Sequence, residues 1–314
     1  MDKMAIDKTV LLSNDVETTS IWFNDLRDET GLKVWKEGMP ILLDIYRKFN
    51  IKSTFFYTAY IAKLYPETVR MILADGHEVG SHGKSHTKEN GFDIMPFDKQ
   101  KRHLEYSKNT LEDISGQEVI SFRSPAIRVS SLTARALIET GFRIDSSIAS
   151  QRFDFFLSFG GMRKLNFLKT PRLPYRTKVN DIFSKGNSEL IELPMSATLL
   201  PFIGSTMRIM PGITSIQQRL LHLESLMTSK PAVFVIHPNE LIDETNEPRT
   251  IKRRSSNQIA YLLSDVIRAK LKSKNLGNSA VPLYEKLIQY YVDKGYVSHT
   301  MKSYADKLIA EGRV

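Results

Sequence analysis

The chain is predicted to be an α/β protein, a single closed or nearly closed (β/α) barrel of about seven parallel strands. Three observations carry this reading. Short apolar runs alternate with amphipathic helical stretches, the pattern of βαβ units and a parallel sheet. Neither a Pro-, Gly- or Ser-rich linker nor an internal repeat interrupts the 314 residues, a length that barrels reach as one domain. Ionisable residues recur at the C-terminal ends of the expected strands, which a barrel gathers on one rim. One domain is therefore expected over residues 1–314, with its core at 8–310.

The elements follow in order. Thr9–Asn14 is a short buried strand by its apolar run, and it ends at Asp15-Val16-Glu17. Gly38–Asn50 carries Met39, Leu42, Leu43, Ile45, Tyr46 and Phe49 on one helical stripe. Lys52–Thr58 is rich in β-formers and reads as the second strand. Pro66 opens a helix that Asp75-Gly76 closes, and His77–Gly80 is the third strand. A long amphipathic helix, Asp98–Ile114, leads to a fourth strand at Val119–Phe122, broken by Arg123-Ser124-Pro125. Leu132–Thr140 is helical and Phe142–Asp145 is the fifth strand. Residues 151–188 mix aromatic, basic and Gly/Pro positions and give no assignment. Glu189–Pro194 reads as a strand, Ser215–Thr228 as a helix, and Ala232–Ile236 as a continuous apolar strand ending at His237. Helices near Asn257–Leu271 and Leu283–Asp293, a strand near Tyr296–Ser298 and a helix near Lys302–Glu311 complete the chain.

Composition narrows the function. The chain is 41% hydrophobic and 25% charged, as globular proteins are. It has no cysteine, so a metal must be held by His, Asp or Glu. The start of the chain reads as a strand without a signal peptide, and no run nears the roughly 20 apolar residues of a membrane helix. A cytoplasmic location is the expectation. The net charge of +9 suits an anionic partner, such as an acidic glycan or a peripheral contact with an anionic membrane. No nucleic-acid motif accompanies it, so no nucleic acid is expected. The clusters at Lys252-Arg253-Arg254 and Lys270–Lys274 read as solvated helical faces.

Three of the seven histidines fall within Gly76–His86. The four-residue spacing of His82 and His86 lets two imidazoles converge on one ion, and Gly80 and Gly83 are expected to let the backbone turn around it. Two surface histidines side by side would look the same, so the pair needs support from elsewhere. It comes from the rim: Asp15 and Glu17, His82 and His86, Arg123, Asp145 and His237 each lie at or just beyond a strand end, and five separate strands deliver them.

These residues resemble the polysaccharide deacetylase family, carbohydrate esterase family 4, through five motifs in the family's order. They are Asn14-Asp15-Val16-Glu17, His82-Gly83-Lys84-Ser85-His86, Arg123-Ser124-Pro125, Asp145-Ser146-Ser147 and Val233-Phe234-Val235-Ile236-His237. The first resembles a variant with one residue between its carboxylates, and the fourth lacks the usual aromatic residue. The resemblance implies a single distorted (β/α) barrel, a divalent metal and hydrolysis of an N-acyl group on an amino sugar of a polysaccharide, an oligosaccharide or a lipid-linked glycan. It implies that His82, His86 and one carboxylate hold the metal, with zinc favoured and cobalt, manganese or nickel able to substitute. The other carboxylate becomes the base and His237 the acid, while Arg123 holds the base ionised and Asp145 pairs with His237. Pro125 and Val235 would touch substrate. The chemistry is coherent: the metal polarises the acyl oxygen, a carboxylate takes the water's proton, and a histidine protonates the departing amine.

Matching the usual adjacent pair would make Asn14 the base and Asp15 the ligand, but an amide cannot accept a proton. The spaced match makes Asp15 the base and Glu17 the ligand. Strand alternation supports it by sending residues 15 and 17 to one side. Hydrolysis of another C–N bond, in a lipid-linked formamido sugar or a cyclic amide, is the alternative enzyme reading, and a non-catalytic glycan-binding relative the alternative outside enzymes. A carboxylate-pair glycosidase fits less well, because both acids leave one strand end together. Met195–Ile213 is unusually apolar for a connection, either a buried segment or an exposed lip toward a membrane.

Overall fold

The computed structural model describes residues 6–152, 166–250 and 266–314. The basic cluster at 252–254 and most of the helix expected at 257–271 lie outside them.

The sheet begins with β1 (Thr9–Val16), buried along its whole length. A strand that buries both faces reads as an unbroken apolar run, and Val10, Leu11 and Leu12 supply one. Each such side chain contributes about 1.5–3 kcal/mol on leaving water. β2 (Thr19–Ser20) and β3 (Asp25–Leu26) form a small ribbon just beyond it. The remaining strands of the main sheet are β4 (Thr54–Tyr57), β5 (Glu78–Ser81), β6 (Ser121–Phe122), β7 (Ile144–Asp145), β8 (Tyr175–Lys178), β9 (Asp181–Lys185), β10 (Ile191–Glu192), β13 (Ala232–Ile236) and β14 (Val297–Ser298). Their order is β13-β1-β4-β5-β6-β7-β10-β8-β9, with β14 against the start of β1. From β13 to β10 every neighbour is parallel, which makes the seven parallel strands expected. β8 and β9 are an antiparallel hairpin added outside β10.

The sheet curls, and an irregular segment spans its gap. Met195 pairs with Ala149, Ser196 N–H donates to Val233 O, and Ile203 pairs with Val235. The small ribbon β11 (Ala197–Thr198) and β12 (Leu200–Pro201) lies within this segment. Met195, Phe202 and Met207 are buried here, so Met195–Ile213 is mainly an internal closing piece. Its apolar character comes from that burial, although Leu199 at the ribbon's tip is 65% exposed.

Helices cover the outside. They are α1 (Asp28–Lys33), α2 (Met39–Lys48), α3 (Ala59–Leu64), α4 (Glu67–Ala74), α5 (Phe97–Ser115), α6 (Thr133–Glu139), α7 (Gly204–Ile209), α8 (Pro211–Thr228), α9 (Arg268–Lys272), α10 (Val281–Asp293) and α11 (Met301–Ala310). Long periodic stretches became helices close to where the pattern put them, and α1, α3 and α7, at six residues each, were too short to show a period. Among the described residues no helix is long and apolar enough to cross a membrane.

Candidate active site

The site forms where β1, β4, β5, β6 and β13 end. β1 runs two residues further than its apolar run suggests, so Asp15 lies inside the strand. Its pleat separates the candidate carboxylates from Asn14. Asn14 Nδ2 donates to Ser53 Oγ at 2.8 Å and its Oδ1 accepts from Tyr46 of α2, so it braces the helix layer. Asp15 faces the other way and meets Arg123. Asn14 is thus turned away from the cluster that Asp15 joins.

Arg123 is fully buried just past β6, in a ladder that continues through Arg123 N–H to Ser81 O. Its Nη1 donates to Asp15 Oδ1 and to Ser13 Oγ, both at 2.9 Å. Its Nε and Nη2 donate to Ser146 O and Oγ, and the guanidinium lies over the Phe56 ring. Four of the five N–H donors are therefore committed, which fixes Asp15. Burial alone would raise the Asp15 carboxyl; the Arg123 charge, with His82 and His237 beside it, outweighs burial and holds the carboxyl below its ordinary value.

His82 directly follows β5 and is buried. Its Nδ1–H donates to Arg123 O at 2.8 Å, which leaves Nε2 as a lone-pair donor facing the cavity, 3.9 Å from Asp15 Oδ2. Gly83 takes φ of +70°, where glycine is favoured, and turns the chain toward His86. Gly80 has a different duty from the turn expected of it: it lies inside β5, where an added Cβ would stand 2.6 Å from the Phe56 ring. His86 Nε2 accepts from Ala126 N–H at 3.1 Å and lies 3.4 Å from Glu17 Oε2. That N–H is aimed by an uncommon backbone: Ala126 and Ile127, just after Pro125, both have φ near +50°.

Glu17, His82 and His86 present one donor atom each, all within 4.8 Å of one another. Glu17 Oε2 is buried without a hydrogen-bond partner. A buried carboxylate oxygen left unpaired beside two imidazoles fits a cation ligand set, and its N, N, O donors suit a borderline ion such as zinc. A cavity of about 270 Å³ opens beside Glu17 and His86, lined also by Thr18, Leu26, Tyr60 and Ser85.

Opposite, His237 leaves β13 and is followed by a tight turn over Pro238–Leu241. Glu240 reaches back to it: Oε1 accepts from His237 Nδ1 at 3.1 Å, and from its backbone N–H. His237 Nε2 then faces Asp15 Oδ2 at 3.8 Å. Burial opposes the charged ring, yet the Glu240 hydrogen bond and the Asp15 and Glu240 charges raise His237 to about 9. Glu240 is itself held at about 2: burial works against its ionisation, but buried Arg208 and His237 prevail. Arg208 Nε donates to Glu240 Oε2 at 2.6 Å, and its Nη1 to the carbonyls of Lys272 and Lys274. Gly204 sits so close that a Cβ there would stand 2.3 Å from Glu240 Oε1.

The partner of His237 is thus Glu240, where Asp145 was expected. Asp145 is buried on β7, accepts from Ser147 Oγ and lies opposite Glu192 of β10. Burial pushes both carboxyls up, and the Asp145 charge pushes Glu192 further, well above its ordinary value. Burial and mutual repulsion therefore favour the protonated form of Glu192, next to the Arg123 segment. Ser147 also accepts from Ser124 N–H at 2.9 Å, so Asp145-Ser146-Ser147 secures the Arg123 segment. Pro125 is buried and packs toward the Gly83 backbone. Val235, 2% exposed between Ser13 and Ile203, belongs to the core and offers no surface to substrate.

Three residues escaped the sequence reading: Glu240, Arg208 and Glu192. Each left a signal. His237-Pro238-Asn239-Glu240 has capping-box spacing. Arg208 is a lone charge in an apolar segment, and Glu192 is an acid inside a strand otherwise expected to be buried.

Comparison with known proteins agrees with the motifs. The polysaccharide deacetylase family model matches residues 14–144, and the curated relatives and solved structures similar to this chain support that family. A peptidoglycan deacetylase from Helicobacter pylori is 26% identical over 189 residues, 58% of this chain and 57% of that protein. The curated relatives are matched over about half their length. A structure described as a polysaccharide deacetylase from Mycobacterium smegmatis aligns over 96% of both chains at 20% identity, with a TM-score of 0.55. A solved allantoinase aligns over 74% of this chain and 78% of its own at 16% identity, with a TM-score of 0.51. At these identities the two structures share the fold.

Proposed function

We propose that the chain is a metal-dependent hydrolase that removes an N-acyl group, acetyl in the first instance, from an amino sugar of a glycan. The observation that carries this reading is the unpaired, buried Glu17 Oε2 beside the free Nε2 of His82. Glu17, His82 and His86 would hold the ion, His86 by releasing the Ala126 N–H. When bound, a divalent cation supplies Lewis acidity for the acyl oxygen and acidifies water at the site.

The chain's own residues do the rest. Asp15 is ionised, with Oδ1 committed to Arg123, so Oδ2 takes the proton of the attacking water. His237 enters the reaction protonated, with Nδ1–H tied to Glu240, so its Nε2–H protonates the departing amine. The cavity beside Glu17 and His86 has room for the acyl group and part of a sugar ring.

The test is acetate release from N-acetylated oligosaccharides before chelation, after it, and after zinc is restored. Release that stops on chelation and returns with zinc supports the reading. Release undiminished in metal-free protein contradicts metal dependence. Zinc-loaded protein that spares these sugars and hydrolyses a formamido sugar or a cyclic amide contradicts the substrate class.

A further inference from the structure

Helix α8 is inverted relative to an ordinary surface helix. Its buried positions are Thr214, Gln217, Gln218, Ser225 and a single apolar residue, Leu221, and its exposed positions include Ile213, Ile216, Leu220, Leu223 and Met227. Exposure runs from 39% at Ile213 to 84% at Met227. A surface helix normally turns its apolar stripe to the core. The inversion is fixed by hydrogen bonds: Gln217 Nε2 donates to Leu200 O at 2.9 Å and Gln218 Nε2 to Leu287 O at 3.1 Å. The helix cannot roll its apolar face inward without leaving both amides and both carbonyls unpaired.

The exposed residues recur at intervals of three, four, three and four, from 213 to 227. That is the spacing of a seam that receives another helix. The stripe is also nearly the same read in either direction from Leu220, so a two-fold axis there sets apolar on apolar, as an isologous contact requires. Charge argues against lipid. The charged residues of α8 are Arg219 and Glu224, and Glu224 is paired with Arg172 and Lys230. A membrane-surface helix would flank its apolar face with Lys and Arg. This face is nearly neutral on a chain of net charge +9.

Area requires more than the helix alone. A stable dimer buries roughly 800 Å² on each side. An 18-residue helix is about 27 Å long and about 10–12 Å wide, so α8 alone supplies less than half of that. Exposed Leu168, Leu173 and Leu199 extend the patch. The Gln217–Leu200 bond places the ribbon β11–β12 against α8, and Arg172 joins the 168–173 loop to both, through Glu224 and Ala197 O. Leu199 is held at the ribbon's tip with φ of +66°, uncommon for leucine.

We propose that α8, with the Leu199 tip and the 168–173 loop, is the interface between two copies of this chain, related by a two-fold axis near Leu220. Sedimentation velocity over a roughly hundred-fold range of concentration tests it. The mass should approach twice 35.9 kDa as concentration rises. Leu220→Asp should hold the protein at 35.9 kDa with its melting transition intact, and Ile309→Asp, on the exposed face of α11, should leave the dimer in place. Should Leu220→Asp fail to fold, Leu223→Gln makes the same comparison. A single-chain mass at every concentration overturns the proposal, and so does a dimer that survives both variants of α8. Wild-type single chains retained on anionic phosphatidylglycerol vesicles, and released by Leu220→Asp, would assign the face to lipid and overturn it as well.

Discussion

Asp15 and Glu192 lie in the same sheet, both hidden from water, and they end in opposite states. Burial pushes both carboxyls up. Asp15 meets the Arg123 guanidinium and two histidines, and its carboxyl falls below the ordinary value. Glu192 meets a second carboxyl, Asp145, and rises well above it. Burial is the largest single influence on both, and the charged neighbours that oppose it at Asp15 or add to it at Glu192 decide the difference. The difference also sorts their roles. The ionised acid sits at the rim where a water proton can be taken, and the protonated one lies in the floor beneath Arg123.

Removing Arg123 breaks this comparison with the largest effect. Arg123→Leu leaves Asp15 buried without its counter-charge, at a cost of about 3–5 kcal/mol in stability by urea unfolding. It should also raise the Asp15 carboxyl, so the acid limb of kcat/KM moves upward. In the wild type the Asp15 contribution is present above an unfolded value of about 3.8 and is lost as pH falls through the lower folded value. An unchanged unfolding midpoint and acid limb would show that Arg123 does not hold Asp15.

Glu240→Gln makes the same point for the acid. His237 is raised to about 9, so its proton is present at neutral pH and leaves as pH climbs through that value. With a neutral partner, the alkaline limb of the rate profile should move toward 6.5, the ordinary histidine value, and Glu240→Asp should restore part of the shift. A limb that stays in place in Glu240→Gln removes Glu240 from the account.

Glu192→Gln should do least. Glutamine copies the shape of a protonated acid, so stability at pH 4 should change by less than about 1 kcal/mol. In the wild type the fold keeps a proton that the unfolded chain releases above about 4.5, so the contribution is full below that pH and fades as pH rises toward the folded value. The variant should lose this slope. Large destabilisation at pH 4 would mean that Glu192 is ionised in the fold.

Much of this was legible in the sequence, for reasons that differ by element. Ala232–Ile236 was bounded correctly, because a buried parallel strand shows itself as an unbroken apolar run. The parallel strands followed from the alternation of strands and helices, and the convergence of His82 and His86 from their spacing, while Glu17 as the third member came from the spaced match to the family's first motif. The hairpin Tyr175–Lys185 did not, because its strands are partly exposed and mix charged with apolar residues. The Glu240 partnership was hidden for another reason. The resemblance supplied Asp145 as the partner of His237, and here a residue three positions along the same turn takes that place.

The central claim is that two neighbouring carboxylates divide the work, Glu17 toward the ion and Asp15 toward the proton. Zinc binding by Glu17→Ala and Asp15→Asn, measured with turnover on an N-acetylated oligosaccharide, tests it most directly. Glu17→Ala should bind zinc more than roughly 100-fold more weakly. Asp15→Asn should bind it as the wild type does and turn over roughly 10²–10⁴-fold more slowly. Wild-type zinc affinity in Glu17→Ala, with zinc lost in Asp15→Asn, would contradict the account.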